Sequence, residues 1–137
     1  MADYRRYAEV AVGDVYPPDP LRFRVAADVV EGFVAATGND DSHYAGASHR
    51  APSMIASVYL VDLLASRRSP PGGIHAKQAI RFHRAVMVDE ILSIQATVVE
   101  KYVRKDRPYV VSDFEVRGDD GILVASGRIT SIWGRDE

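Results

Sequence analysis

The chain has 137 residues, 47% of them apolar and 26% charged, the balance of a folded globular domain and not of a disordered chain. Its 17 Lys and Arg against 19 Asp and Glu leave a net charge of −2, which argues against bulk electrostatic attraction to nucleic acid. Cysteine is absent, which excludes disulfides, thiolate nucleophiles, Cys-ligated zinc and iron–sulfur clusters.

Tyr7 to Val12 reads as a short strand, Gly13-Asp14 as a turn, and Tyr16-Pro17-Pro18-Asp19-Pro20 as a stiff extended connector. Leu21 to Val25 alternates as a second short strand. Asp28 opens a helix in which Val29, Val30, Phe33, Val34 and Thr37 recur at helical spacing, and Gly38 ends it as a C′ glycine. Asn39 to Pro52 is a polar loop holding two of the four histidines and an Asp-Asp pair. Pro52 suits the first turn of the next helix. Met54 to Leu64 leaves almost no polar face, so a buried helix is expected there, with Arg67 and Arg68 at its C-terminal end and Ser69-Pro70-Pro71-Gly72-Gly73 stopping it. The remainder reads as strands. Ile74 to Val86 alternates, Met87 to Glu90 is a turn, and Leu92, Ile94, Ala96 and Val98 form one apolar face. Lys101 to Pro108 is a charged hairpin, Tyr109 to Arg117 a strand, Gly118 to Gly121 a turn and Ile122 to Trp133 a last long strand.

These elements predict an α+β domain over residues 1–137. One apolar helix in so short a chain is most simply buried by a curved antiparallel β-sheet wrapped round it, the hotdog fold. A single sheet round one helix leaves open edges, so a dimer is expected. The longest apolar stretch is too short for a bilayer and the N-terminus has no apolar signal region, so a soluble cytoplasmic protein with no membrane partner is expected.

The run from Phe33 through Thr37-Gly38-Asn39-Asp40-Asp41-Ser42-His43-Tyr44, then Ala51-Pro52-Ser53-Met54-Ile55-Ala56-Ser57, resembles the MaoC-like hydratase/dehydratase family. Gly73 to Val86, Asp89 to Leu92 and Asp120 to Arg128 extend the resemblance over most of the chain. It implies chemistry on enoyl or 3-hydroxyacyl thioesters carried by coenzyme A or acyl carrier protein. An Asp and a His hold the water that is added or removed, and amides at a helix N-terminus stabilise the thioester enolate. With Gly38 fixing the register, Asn39 falls on the family's Asp and Tyr44 on its His, Asp41 on its Asn and Ser42 on its Pro. An amide is no base and a phenol titrates near 10. This pattern resembles the half of two-part MaoC-like dehydratases that lacks the catalytic pair. A shifted register brings Asp40 and His43 to those places instead.

The resemblance therefore implies a hydro-lyase with an atypical site built on Asn39, Asp40, His43 and Tyr44, or a subunit paired with a catalytic hotdog partner. Asp41, Pro52, Ser53, Met54, His75, Arg81 and His83 are the substrate-binding candidates. His75 and His83 sit at even spacing in one strand, so a shared face with Arg81 is expected. No metal or cofactor is expected. The expected partners are the acyl thioester and a second MaoC-like subunit, in a homodimer or heterodimer. Two alternatives stay open: a thioesterase or cyclising enzyme using Asp40, Asp41 or His43, and a non-catalytic acyl-thioester-binding subunit. Lys101, Arg104, Lys105 and Arg107 make a basic hairpin that either meets the carrier's phosphates or is merely solvated.

Overall fold

A computed structural model describes residues 3–38 and 50–135. The element order is β1 (Val15–Arg24), α1 (Ala27–Thr37), β2 (Arg50–Ala51), α2 (Ala56–Ala65), β3 (Ile74–Phe82), β4 (Val86–Met87), β5 (Ile91–Arg104), β6 (Arg107–Arg117) and β7 (Leu123–Ile132). Five strands form one antiparallel sheet in the order β1-β5-β6-β7-β3, and β2 pairs with β4 as a separate two-stranded ladder. This is the α+β hotdog arrangement.

One face of the sheet is oily. Leu92, Ile94, Ala96 and Val98 of β5, Val110, Phe114 and Val116 of β6, and Val124 and Ile129 of β7 are all buried. Tyr59, Leu60 and Leu63 of α2 pack into the same core, with Ile55 just before that helix and Val30 and Val34 of α1. The Phe23 and Tyr59 rings meet at 5.6 Å in a tilted pair, tying β1 to the helix. The other sheet face is polar, with Arg128 donating from Nε and Nη2 to the two carboxylate oxygens of Asp113 and Arg117 paired with Glu115.

Burial of α2 is less complete than its composition suggests. Met54 is 50% and Val61 63% exposed, and Ser57, Asp62 and Ala65 are exposed with them. One sheet can cover only one side of a helix, so the outward side of α2 stays exposed although the sequence there is largely apolar.

Tyr7 to Val12 is not a strand. Tyr7–Glu9 forms a 3₁₀ turn, and its carbonyls go to a side chain instead of a ladder: Lys101 Nζ donates to Tyr7 O at 2.8 Å and Val10 O at 2.7 Å, over the Tyr7 ring. The proline segment and Leu21–Val25, read as two pieces, largely merge into β1. Its register slips between Tyr16 and Leu21, where Tyr16 faces Ala96 but Leu21 faces Ile94. Prolines cannot donate to a ladder, and Gln95 serves the carbonyls left there, its side-chain amide donating to Pro17 O at 3.0 Å and Pro18 O at 3.1 Å. Replacing Gln95 by Ala is expected to lower stability by about 1 kcal/mol, measurable by urea denaturation as a shifted midpoint at unchanged slope.

Candidate functional site

The candidate site lies where α1 stops and α2 begins. Gly38 closes α1 in the left-handed conformation, φ 73°, its N–H bonded to the carbonyls of Val34 and Ala35. At Arg50 the chain enters β2, which pairs with β4 through Arg50 to Met87 and Ala51 to Val86. The catalytic candidates Asn39, Asp40, His43 and Tyr44, and with them Asp41, lie outside the described residues. The two ends that hold this segment are fixed, one by a helix cap and one by a ladder.

Pro52, Ser53 and Met54 come next, respectively buried, half-buried and exposed. Pro52 caps a single 3₁₀ turn, Ser53–Ile55, with its carbonyl accepting the Ile55 amide at 2.9 Å. It therefore precedes the helix, outside the first turn where the sequence puts it. Amides at a helix start have no intrahelical acceptor and sit at the positive end of the helix dipole. Ser53 and Met54 present such amides, a setting that suits an oxygen gaining negative charge.

An ion cluster braces this end. Arg84 Nη1 donates to Glu90 Oε1 at 3.0 Å, Arg84 Nη2 pairs with Glu90 Oε2, and Asp120 lies 3.4 Å from the same guanidinium. Glu90 Oε1 also accepts the Met87 amide at 3.2 Å, which ties the cluster to β4 and so to β2. The Ile122 amide, and then Arg84, hold the Asp120 carboxyl below the usual carboxylate range. Sequence reading missed this brace because its members are brought together by turns; the only local signal is the spacing from Met87 to Glu90.

His75, Arg81 and His83 do not join that end as one group. Ala76 is an extra residue between His75, which faces Ser131, and Lys77, which faces Thr130. This bulge reverses the alternation. His75 falls on the face of Ser131, while Arg81 pairs with Ser126 and His83 Nε2 lies 2.9 Å from Ser126 Oγ on the opposite, polar face. The shared face expected for the two histidines is therefore not observed. Arg81 and Arg128, with Asp113, Glu115, Ser126 and Ala79, line a shallow open groove of about 440 Å³ there. That groove is on the side of the sheet away from α2.

A second polar cluster is enclosed between the end of α2 and the sheet. Arg67 donates to Ser131 Oγ at 2.8 Å and to Leu64 O at 3.3 Å, with its guanidinium 5.2 Å from the Trp133 ring centre. Burial lowers the Arg67 pKa. Burial raises those of the Tyr16 and Tyr59 phenols, Ser112 and then Arg67 offsetting part of the effect on Tyr16. An unfolded chain ionises its phenols near pH 10, whereas these two resist ionisation in the fold. Their contribution to stability is thus complete below pH 10 and is lost as pH rises beyond it, by up to about 1.4 kcal/mol per pH unit for each phenol. Denaturant midpoints between pH 9 and 11.5 should fall accordingly, and less steeply in Tyr59→Phe.

Among the described residues no group of three or more His, Cys, Asp or Glu side chains is placed to hold a metal ion, and no helix is long and apolar enough to cross a membrane.

No family model matches the chain. No curated protein matches it either. Solved structures do. The unliganded R-hydratase PhaJ1 from Pseudomonas aeruginosa superposes with a TM-score of 0.82 at 22% identity, over 96% of this chain and 86% of that one. The (R)-hydratase from A. caviae involved in PHA biosynthesis gives 0.75 at 19%, over 91% and 98%. The HadBC (3R-hydroxyacyl-ACP dehydratase) complex from Mycobacterium tuberculosis gives 0.72 at 20%, over 90% and 96%. At these identities the likeness is one of fold: the chain has the hotdog fold found in MaoC-like dehydratases and R-hydratases, in keeping with the resemblance read from its sequence.

Proposed function

We propose that residues 1–137 form one MaoC-like hydratase/dehydratase unit that binds an enoyl or 3-hydroxyacyl thioester at the start of α2. The observation that carries this reading is the match of nearly the whole chain to R-hydratases, with a helix start at Ser53 and Met54 directly after the segment that carries the candidate acid and base. In hydration, a base takes a proton from water as its oxygen bonds to C3 of the enoyl group. The negative charge moves onto the thioester oxygen, where the Ser53 and Met54 amides meet it, and C2 then accepts a proton. Dehydration runs the same steps backwards. Asp40 and His43 are the carboxylate and imidazole that a shifted register brings to the family's positions to exchange these protons; Asn39 and Tyr44 position water or substrate, and Asp41 and Pro52 shape the entrance. Pro52 has no N–H, which leaves the donor role to the two residues after it. No cofactor takes part.

A second reading, a subunit serving a catalytic hotdog partner, is favoured by Asn39 and Tyr44 at the family's catalytic positions and by an open sheet edge. The β1 edge carries Pro17, Pro18 and Pro20, which block pairing. The β3 edge is free of proline and its residues are nearly all exposed, Ile74 and Phe82 among them. A second hotdog subunit, identical or related, adds to β3 and covers the bare side of α2. The neighbour HadBC is itself a complex of two subunits.

The assay is loss of enoyl absorbance with a crotonyl thioester, with mass in solution measured by light scattering. Activity of the chain alone that falls at least a hundredfold in Asp40→Ala and His43→Ala supports the autonomous site. Silence alone with activity restored by a second hotdog chain supports the subunit reading. Thiol release without loss of the enoyl group, or a monomer inactive with every partner, contradicts both.

A further inference from the structure

β3 is an edge strand whose fixed charges are all of one sign. No Asp or Glu occurs between Asp62 and Asp89, and the ionisable side chains of Ile74–Phe82 are His75, Lys77 and Arg81, all exposed. From Lys77 to Phe82 the ladder to β7 runs unbroken, so Lys77, Ala79 and Arg81 share one face. It is the polar face, since Ala79 and Arg81 pair with Arg128 and Ser126. The acids of β6 on that face are engaged further in, Asp113 by Arg128 and Glu115 by Arg117. Among the described residues no carboxylate lies within ion-pair distance of Lys77 or Arg81. The opposite face of the strand carries Ile80, packed against the core, and Phe82, 37% exposed.

Pairing with a second copy of this chain brings these cations together. Residues opposed in an antiparallel ladder point the same way, so a sheet that keeps its polar face continuous across the seam must centre the two strands on a residue. Centred on Ala79, Lys77 faces the partner's Arg81. Centred on Lys77 or on Arg81, that residue faces its own copy. Centred on Gln78 or Ile80, like cations become diagonal neighbours. Opposed positions stand about 5 Å apart and diagonal ones about 7–8 Å, and like charges directly opposite are destabilising. Every register over this span therefore sets cation against cation.

We propose that β3 selects against its own copy and in favour of a related hotdog chain whose edge strand carries Asp or Glu on the polar side of the seam. Apolar contact on the other side draws hotdog partners alike; the charges decide which one is kept. Lysine on an edge can also deter pairing altogether, but a lone chain would leave Phe82 and the outward side of α2 in water. The inference rests on the subunit reading for β3 as the joining edge, and narrows the partner from identical or related to related and acidic.

The test mixes the full chain with its charge-reversed variant Lys77→Glu/Arg81→Glu, one of them isotopically labelled, and reads the dimers by native mass spectrometry. In about 20 mM salt the mixed dimer should exceed roughly three quarters of all dimers, against the half that random exchange gives, and should fall toward half in about 0.5 M salt. The neutral variant Lys77→Gln/Arg81→Gln should self-associate at least about threefold more tightly than the parent in low salt, measured by sedimentation equilibrium. It carries the test if circular dichroism shows the reversed chain unfolded. A random mixture of dimers, or a parent dimer as tight as the neutral one and indifferent to salt, overturns the inference while leaving β3 pairing in place. Chains that stay monomeric both alone and mixed overturn it together with the subunit reading. Neither measurement needs catalytic turnover, so an inactive chain leaves the result readable.

Discussion

Gly127→Ala is expected to destabilise the fold by about 3 kcal/mol or more, a large share of a domain's usual 5–15 kcal/mol. Gly127 lies in β7 opposite Ile80 of β3 on one side, next to Ala79, and opposite Phe114 of β6 on the other. An added Cβ meets the Ala79 carbonyl oxygen far inside contact distance, and stands 2.6 and 2.7 Å from two carbons of the Phe114 ring. The carbonyl is backbone in a paired strand and cannot retreat, and the ring is fully buried, so neither neighbour can yield cheaply. Gly32→Ala is the contrast. Gly32 is exposed on α1 and its added Cβ meets nothing within 4 Å. That substitution should stabilise by roughly 0.5–1 kcal/mol, because alanine loses less backbone freedom on entering a helix. Thermal melts of the two variants should therefore move in opposite directions, and a Gly127→Ala melt equal to the parent's would show that β3 and β7 do not approach as described.

The second large effect concerns Arg84. Arg84→Met is expected to cost about 2–3 kcal/mol, because it leaves the Glu90 carboxylate, only 12% exposed, without its cation. Both side chains keep some contact with water, which holds the effect below that of a fully enclosed pair. The double variant Arg84→Met/Glu90→Gln should recover part of the loss, since it removes the stranded charge. Activity should fall further than global stability alone implies. Glu90 accepts the Met87 amide, and β4 holds the β2 end from which Pro52 and the α2 start continue. Hydrogen exchange is the local readout: amides of Ala51 to Met54 should exchange faster in Arg84→Met than in a variant equally destabilised elsewhere. Unchanged exchange there would separate the brace from the site.

Much of the fold was legible because the patterns are local. Val29, Val30, Phe33, Val34 and Thr37 at helical spacing and a closing glycine mark α1, and the alternation from Leu92 to Val98 marks the oily face of β5. The misreadings have a common cause in long-range partners. Lys101 claims the carbonyls of Tyr7 and Val10 from 94 and 91 residues away, so a strand-like stretch becomes a 3₁₀ turn. One extra residue at Ala76 puts His75 and His83 on opposite faces, and no composition rule reveals a bulge. Val61 is apolar yet exposed, because the sheet covers only one side of α2. The site itself was legible only through the resemblance. The candidates Asp40 and His43 lie outside the described residues, and the brace of Arg84, Glu90 and Asp120 leaves only its charges and the spacing from Met87 to Glu90 as sequence marks.

The most direct measurement of the central claim is amide NMR on the labelled chain titrated with a non-reactive thioether analogue of an enoyl thioester. The α2-start reading predicts saturable shifts centred on Ser53 and Met54, and in residues 39–44, with the opposite sheet face undisturbed. Shifts confined to Arg81, Asp113, Ser126 and Arg128, in the groove on the far side of the sheet, would place the ligand elsewhere and contradict it.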